Sequence, residues 1–562
     1  MYKRSIFFIA LAIFTVVVFQ QISFTGPENN VNIEQKYTKC VLLIPLDSRP
    51  PCSKFVIDAG KLVNIRVIVP PQEIMDYYTE AGDTGKLRDW LMNNATKADG
   101  IIVSTDQLLY GGLLASRQSF GRHTDENAVW SALKQIRETN KSLPIYVFNI
   151  LPRITPPANI DAAKDIKNLM EYSRLVDRFS QFYDEKDLKK LAELRGKISQ
   201  KHLEQYELLY EKNLQLNKEL IDLCAAGVIN KIVIGQDDGE EYGMPNIERR
   251  FLQRYIVQKN LNAGQAVVTH GADEVAMSLL FNMAQQFNAT VYQPKIYAAY
   301  TDDAAADKIF PYMAAPVKQI VEEKIEMTGG RPVKSPDEAD FILYMHIGDV
   351  ESLSVRRLAA RQLKNWLDEG KKVALVDLSR HFTADETLFP VLLADDIPVN
   401  QLTAYSGWNT VSNSIGTAVA QASIYCLAQH NEANEANEAD ALRLSYNNLT
   451  ILYDHFTEDY FYLKGTIDAV NTALRKAGID NVSDLNMDNN YLWANQMLSI
   501  SLQRQLDKFA YSKASRAPIR IDTPDGKKKI YIRNLRAAVF FPWPRTFEIY
   551  TDVKFNLLTE SQ

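Results

Sequence analysis

Short apolar runs punctuate the chain from residue 40 onward, separated by stretches whose apolar positions repeat at helical spacing. The runs are VLLIPLD (41–47), IRVIVP (65–70), GIIVSTD (100–106), PIYVFNI (144–150), KIVIGQD (231–237) and AVVTH (266–270). KIYAAYTD (295–302), FILYMHIGD (341–349), KKVALVDL (371–378) and LTAY (402–405) follow. They do not alternate apolar and polar, so they predict strands buried on both faces, the signature of a parallel sheet covered by helices. The predicted class is α/β: a parallel (β/α) barrel-like domain or a two-lobed parallel sheet domain, with a smaller C-terminal α+β region. Ten strands exceed the eight of a simple barrel. Residues 291–430 are therefore expected as a second α/β part facing the first, 40–290, with a cleft between them.

Residues 158–226 break the rhythm with polar sequence at helical periodicity and read as a helical insertion. NEANEANEAD (431–440) has no large apolar side chain and reads as a linker closing the α/β part. In the region 441–562, residues 441–512 are expected to be helical and RAPIRIDTPDGKKKIYIRN to form a hairpin turning at Pro-Asp-Gly. The closing AVFFPWPRTFEIYTDVKFNL, rich in aromatic and β-forming residues, is expected to return over the first domain.

Residues 1–30 carry Lys3 and Arg4 ahead of an apolar stretch from Ile6 to Phe19. This is the layout of a signal peptide, or of an N-terminal anchor if uncleaved, and it predicts an extracytoplasmic protein (periplasm, cell surface or secreted). Membrane contact is expected only through that segment. The net charge of −6 and the lack of a basic run interleaved with aromatics argue against nucleic acid as a partner. Cys40 and Cys52 bracket a strand whose ends lie roughly 20 Å apart at about 3.3 Å per residue, so no disulfide framework is expected.

Candidate chemistry comes from a recurrence: nearly every predicted strand ends in polar or acidic residues. The ends are PLDSRP (Asp47, Arg49), STDQLLYGGLLASR (Asp106, Tyr110, Arg117), LPRITP (Arg153), GQDDGEEYG (Asp237, Asp238, Tyr242) and THGADE (His270, Asp273, Glu274). YTDD, HIGD, VDLSRH and AYSGWNTVSN (Tyr405, Trp408, Asn409, Asn413) continue the series. In a parallel sheet all these ends share one face, where α/β folds place their sites. Any one of them alone also reads as a helix N-cap.

Asp237 and Asp238 are the expected catalytic pair, because neighbouring carboxylates in unequal environments divide into an acid and its partner. The alternative is a helix cap with a salt bridge to Arg249 or Arg250. Asp47, Arg49, Asp106, Tyr110, Arg117, Tyr242, His270, Asp273, Glu274, Tyr405, Trp408, Asn409 and Asn413 are the expected substrate-binding residues, Trp408 as a stacking platform and the asparagines as readers of hydroxyl groups. No H-x-H, H-E-x-x-H, P-loop or G-x-S-x-G motif is present. No cofactor is expected, and a divalent metal enters only under a second reading.

Taken in order, PLDSRP, YGGLLASR, GQDDGEEYG, GADE and SGWNT resemble the bacterial domain-of-unknown-function family 4127, over roughly residues 40–430. FFPWPRTFE is similar to that family's ending, which implies that Arg545 reaches the same cleft. The resemblance implies that the strand-end segments belong together and carries no activity with it.

Three functions fit the residues. The first is an exported hydrolase acting on carbohydrate, a glycosidase using Asp237 and Asp238. The second is a metal-dependent hydrolase of an ester, amide or phosphate, with ligands from His270, Asp273, Asp237 and Asp47. The third is a non-catalytic glycan-binding surface protein.

Overall fold

A computed structural model of the protein describes residues 33–118, 125–157, 160, 163–288, 291–349, 352–407, 410–432, 437–523 and 526–560. The expected signal segment, residues 1–30, lies outside them. Among the described residues no helix is long and apolar enough to cross a membrane.

All ten predicted strands form. The first six are β1 (Lys39–Ile44), β2 (Ile65–Ile68), β3 (Gly100–Ser104), β4 (Ile145–Leu151), β5 (Lys231–Gln236) and β6 (Ala266–His270). They make one parallel sheet in the order β2-β1-β3-β4-β5-β6. Successive side chains on a strand point to opposite faces, and here both faces are buried. Leu43, Ile102, Phe148 and Val233 pack toward helices Lys54–Leu62 and Val275–Phe287. Their neighbours Leu42, Ile101, Val147 and Ile232 pack toward helices Glu126–Thr139 and Gln200–Ala225.

The second sheet holds β7 (Lys295–Tyr300), the two-residue β8 (Arg331–Pro332), β9 (Phe341–Gly348), β10 (Val373–Ser379) and β11 (Ala404–Ser406), in the order β11-β10-β9-β7-β8 and again parallel. This is the two-lobed alternative; the barrel-like one is corrected. Six strands leave β2 and β6 as open edges, too few to close a barrel of eight, and the remaining strands pair among themselves.

One helix, Val411–Glu432, is shared by both lobes: Ala418, Val419 and Ala422 face the second core, while Ala420, Ile424 and Leu427 face the first. Small alanines on both sides let two sheets approach one helix. The described residues of the insertion form three helices, Ala163–Phe182, Glu185–Arg195 and Gln200–Ala225.

The C-terminal region does not stand apart. Tyr344, Leu375 and Phe389 share one core with Phe456, Leu502 and Phe555. Helices enter the expected linker from both sides, since Val411–Glu432 ends in it and Glu438–His455 starts in it, with residues 433–436 outside the described set. The predicted hairpin is β12 (Ile519–Thr523) against β13 (Gly526–Phe540), extended by β14 (Tyr550–Thr559) into an antiparallel sheet; turn residues 524 and 525 are not described. All four cysteines are free thiols.

Candidate functional site

The strand order reverses between β1 and β3, and their following helices leave to opposite faces, which opens a crevice at the carboxyl ends of the first sheet. PLDSRP enters it directly after β1. There Arg49 is a hub: its Nη2 donates to Asp47 Oδ2 at 2.7 Å and to Asp273 Oδ1 at 2.8 Å. Asp47 Oδ1 also accepts from the Arg49 backbone N at 3.1 Å and from Nε at 3.0 Å. Asn413 bridges from the shared helix, its Nδ2 donating to Asp273 Oδ2 at 3.4 Å and its Oδ1 accepting from Ala272 N at 3.0 Å. A guanidinium shared between two carboxylates is the pairing that lets three charges be buried together.

The closing segment of the chain covers this hub. The Arg49 guanidinium lies 5.4 Å from the Trp543 ring centroid, and Trp543 Nε1 donates to Ser48 Oγ at 3.0 Å. Arg545 lies over the same ring at 4.7 Å and pairs with Glu548 at 2.5 Å.

The GQDDG loop after β5 meets the loops after β3 and β4. Asp237 forms an ion pair with Arg117, both nearly buried. Asp238 meets Arg153 at 3.7 Å and keeps 29% of its side chain exposed. Arg249 and Arg250, the partners weighed in the capping alternative, bind elsewhere: Arg249 to Glu323 at 2.7 Å and Arg250 to Asp177 at 2.5 Å. Burial pushes the Asp238 carboxyl above its usual range against the pull of Arg117 and Arg153. Burial, followed by the like charge of Arg153, brings Arg117 down to about 9. Arg49 and Asp273 act electrostatically on both Arg117 and Asp238, so hub and loop share one charged floor.

A family profile spans residues 41–552, nearly the whole chain. The chain belongs to the family described as Protein of unknown function (DUF4127). The match reaches past residue 430 and takes in the Trp543–Arg545 segment that closes the hub. No curated protein and no solved structure matches the chain.

In this family member the predicted site residues divide into groups. Asp47, Arg49, Arg117, Asp237, Asp238, Asp273 and Asn413 come together, with Arg153. Asp106 begins a π-helical turn, Asp106–Tyr110, and is buried; its Oδ2 accepts from Ile150 N at 3.0 Å, and burial lifts it to about 6. It ties the ends of β3 and β4 together. Tyr110 is half-buried beside it, and Tyr242 packs its ring edge-on to Phe182 of the insertion at 6.3 Å.

His270 and Glu274 turn away toward the second lobe. His270 Nδ1 lies 2.7 Å from Glu323 Oε2 and Nε2 lies 3.1 Å from Arg249. That carboxylate is held at about 2, with the His270 hydrogen bond the strongest of the interactions drawing it below its usual range. Glu274 pairs with Lys324, both fully buried. A Cβ on Gly416 would sit 2.3 Å from Glu274 Cγ, so the shared helix needs glycine there to pass. Tyr405 does not line the cleft: it is 1% exposed, packed on Phe389 and Phe456. Trp408 and Asn409 lie outside the described residues.

Sequence reasoning missed Asp76. It is buried, and burial, followed by the like charge of Asp47, pushes its carboxyl well above the usual range. The Gln107 amide, turned with its nitrogen toward Asp76, donates to Oδ1 at 3.1 Å. Gly112, at φ +123°, passes so close that a Cβ would lie 3.0 Å from Asp76 Cγ. The strand before Asp76 ends in prolines, so the polar-end criterion passed over it.

The donors named for a metal are already matched to cations or, for His270, to Glu323 and Arg249. Among the described residues the grouping with metal-ligand spacing is Asp349, His381 and Glu386 at the ends of β9 and β10, with ligand atoms within 4.8 Å of one another. The loop between the two lobes' strand ends links that group to the first site: Gly239 N donates to Tyr312 O at 3.1 Å, and the Tyr312 ring lies 6.4 Å from that of Phe382.

Proposed function

We propose that the protein is an exported hydrolase acting on carbohydrate, a glycosidase in which Asp238 transfers the proton and Asp237, fixed by Arg117, is its charged partner. The observation that carries this reading is the unequal treatment of two adjacent carboxylates. Asp237 is nearly buried in an ion pair, whereas Asp238 keeps part of its side chain exposed and is still pushed upward by desolvation. That division is the one glycoside cleavage uses: a carboxyl with raised pKa protonates the leaving oxygen while a second carboxylate opposes the positive charge developing at the sugar. Arg153, a third exposed and only loosely paired with Asp238, suits an acidic substituent on the substrate.

The test is a panel of chromogenic glycosides and esters with wild type, Asp237→Asn and Asp238→Asn, with and without chelator. Glycoside turnover that survives chelator and disappears in Asp238→Asn supports the proposal. Turnover lost to chelator and restored by a divalent ion would instead favour a metal-dependent hydrolase. Carbohydrate binding without turnover, unchanged in both variants, would favour a glycan-binding surface protein.

A further inference from the structure

The strand that leads into Asp237 begins with a second unusual charge. Lys231 opens β5 at the opposite, amino-terminal end of the sheet, and only 4% of it is exposed. Its Nζ donates to Asn282 Oδ1 at 2.7 Å, and no carboxylate among the described residues pairs with it. An ammonium has three hydrogens to donate, and buried lysines are rare unless paired. Burial alone lowers Lys231 to about 8, so it is still largely charged at neutral pH.

Lys231 lines a cavity of about 340 Å³ between the two lobes. Asn282 stands beside it from the first lobe, while Ile325 and Pro332 supply apolar wall from the second. Glu322 and Glu326, one helical turn apart, line the mouth; both are exposed, and neither has an ionic partner among the described residues. The cavity therefore has a cation at its base, carbon on its walls and two anions at its rim. Its volume lies in the range of small-molecule sites, ~300–1,000 Å³. A simple anion would be repelled by the rim and a simple cation by the base.

We propose that this cavity binds a small zwitterion, its carboxylate seated on Lys231 and its ammonium held by Glu322 and Glu326. The carboxylate supplies the counter-ion that the buried lysine lacks. The apolar wall accommodates the short carbon chain between the two charges.

The experiment is calorimetric titration of the full chain with glycine, β-alanine, γ-aminobutyrate, ε-aminocaproate and leucine, with caproate and hexylamine as singly charged controls. At least one zwitterion is expected to saturate at one molecule per chain, with caproate and hexylamine about tenfold or more weaker. Lys231→Met, similar in length and uncharged, is expected to weaken that binding about tenfold or more, and the double variant Glu322→Gln, Glu326→Gln severalfold. If Lys231→Met does not fold, the wild type decides alone. The bound zwitterion must then slow acylation of Lys231 by an amine-reactive reagent, read by peptide mass mapping. Absence of binding by all five zwitterions, unchanged binding in Lys231→Met, equal binding of caproate, or unprotected acylation would each overturn the proposal.

Discussion

Asp238 and Asp377 both belong to the carboxyl ends of apolar parallel strands, one in each lobe, and the molecule uses them differently. Asp377 is fully buried, and its two oxygens accept from Leu388 N at 2.6 Å and Phe389 N at 2.9 Å, with the Tyr405 hydroxyl at 3.3 Å. Two of these three donors are backbone N–H groups at the start of the helix Phe389–Ala394. Asp238 has a loosely placed arginine for company and a face toward solvent. An aspartate at a strand end can therefore close a turn or stay available for chemistry. What decides between them is how many backbone N–H groups reach the carboxylate.

The largest effect expected from this contrast is on turnover. Asp238→Asn should lower kcat by about 10²–10⁴-fold, the range of a lost general acid or base, with the unfolding midpoint little changed. Asp377→Asn should leave kcat within about twofold, since it touches nothing in the first crevice. A kcat loss in Asp377→Asn equal to that in Asp238→Asn would erase the distinction between the lobes.

Stability should respond next. Arg117→Met leaves Asp237 in a nearly buried position without its cation, and the expected loss is about 3–5 kcal/mol in denaturant unfolding. A loss under about 1 kcal/mol would show Asp237 to be solvated.

Asp106, just past the end of β3, ties stability to pH. Its folded value is raised from 3.8 to about 6, so the folded state holds a proton that the unfolded chain has released. The stability this contributes is fully present below about pH 4 and is lost as pH rises through 6. The change is worth about 3 kcal/mol, and Asp106→Asn should flatten the pH dependence of unfolding by about that amount between pH 4 and 6. The smallest expected effect is on the capping aspartate: Asp377→Ala should cost about 1–2 kcal/mol by removing a helix cap.

The strands were legible because buried parallel strands are nearly uninterrupted apolar runs, and all ten were found where VLLIPLD, KIVIGQD and the others predicted them. The choice between a barrel and two lobes was harder to read. Periodicity fixes which segments are strands, but closure depends on pairing partners, and β1 pairs with β2 and β3 through contacts the sequence does not label. The polar ends of β1, β3, β5 and β6 did converge. Within them, sequence did not distinguish Asp273, which turns to Arg49, from its neighbour Glu274, which turns to Lys324. Both follow β6, and their partners lie far away in the chain. Tyr405 was misread as a cleft residue because β11 is an edge strand only within its sheet; the C-terminal helices cover it. Asp76 was invisible because its charge follows a turn rather than a strand.

A carboxyl at Asp238 poised to exchange a proton must show itself in its own titration. Carbon NMR of the full chain with carboxyl-labelled aspartate, wild type beside Asp238→Asn, assigns the signal that the substitution removes. This signal is expected to titrate above the usual aspartate value of about 3.9. A signal titrating at or below that value would contradict it and leave Asp238 as an ordinary partner of Arg153.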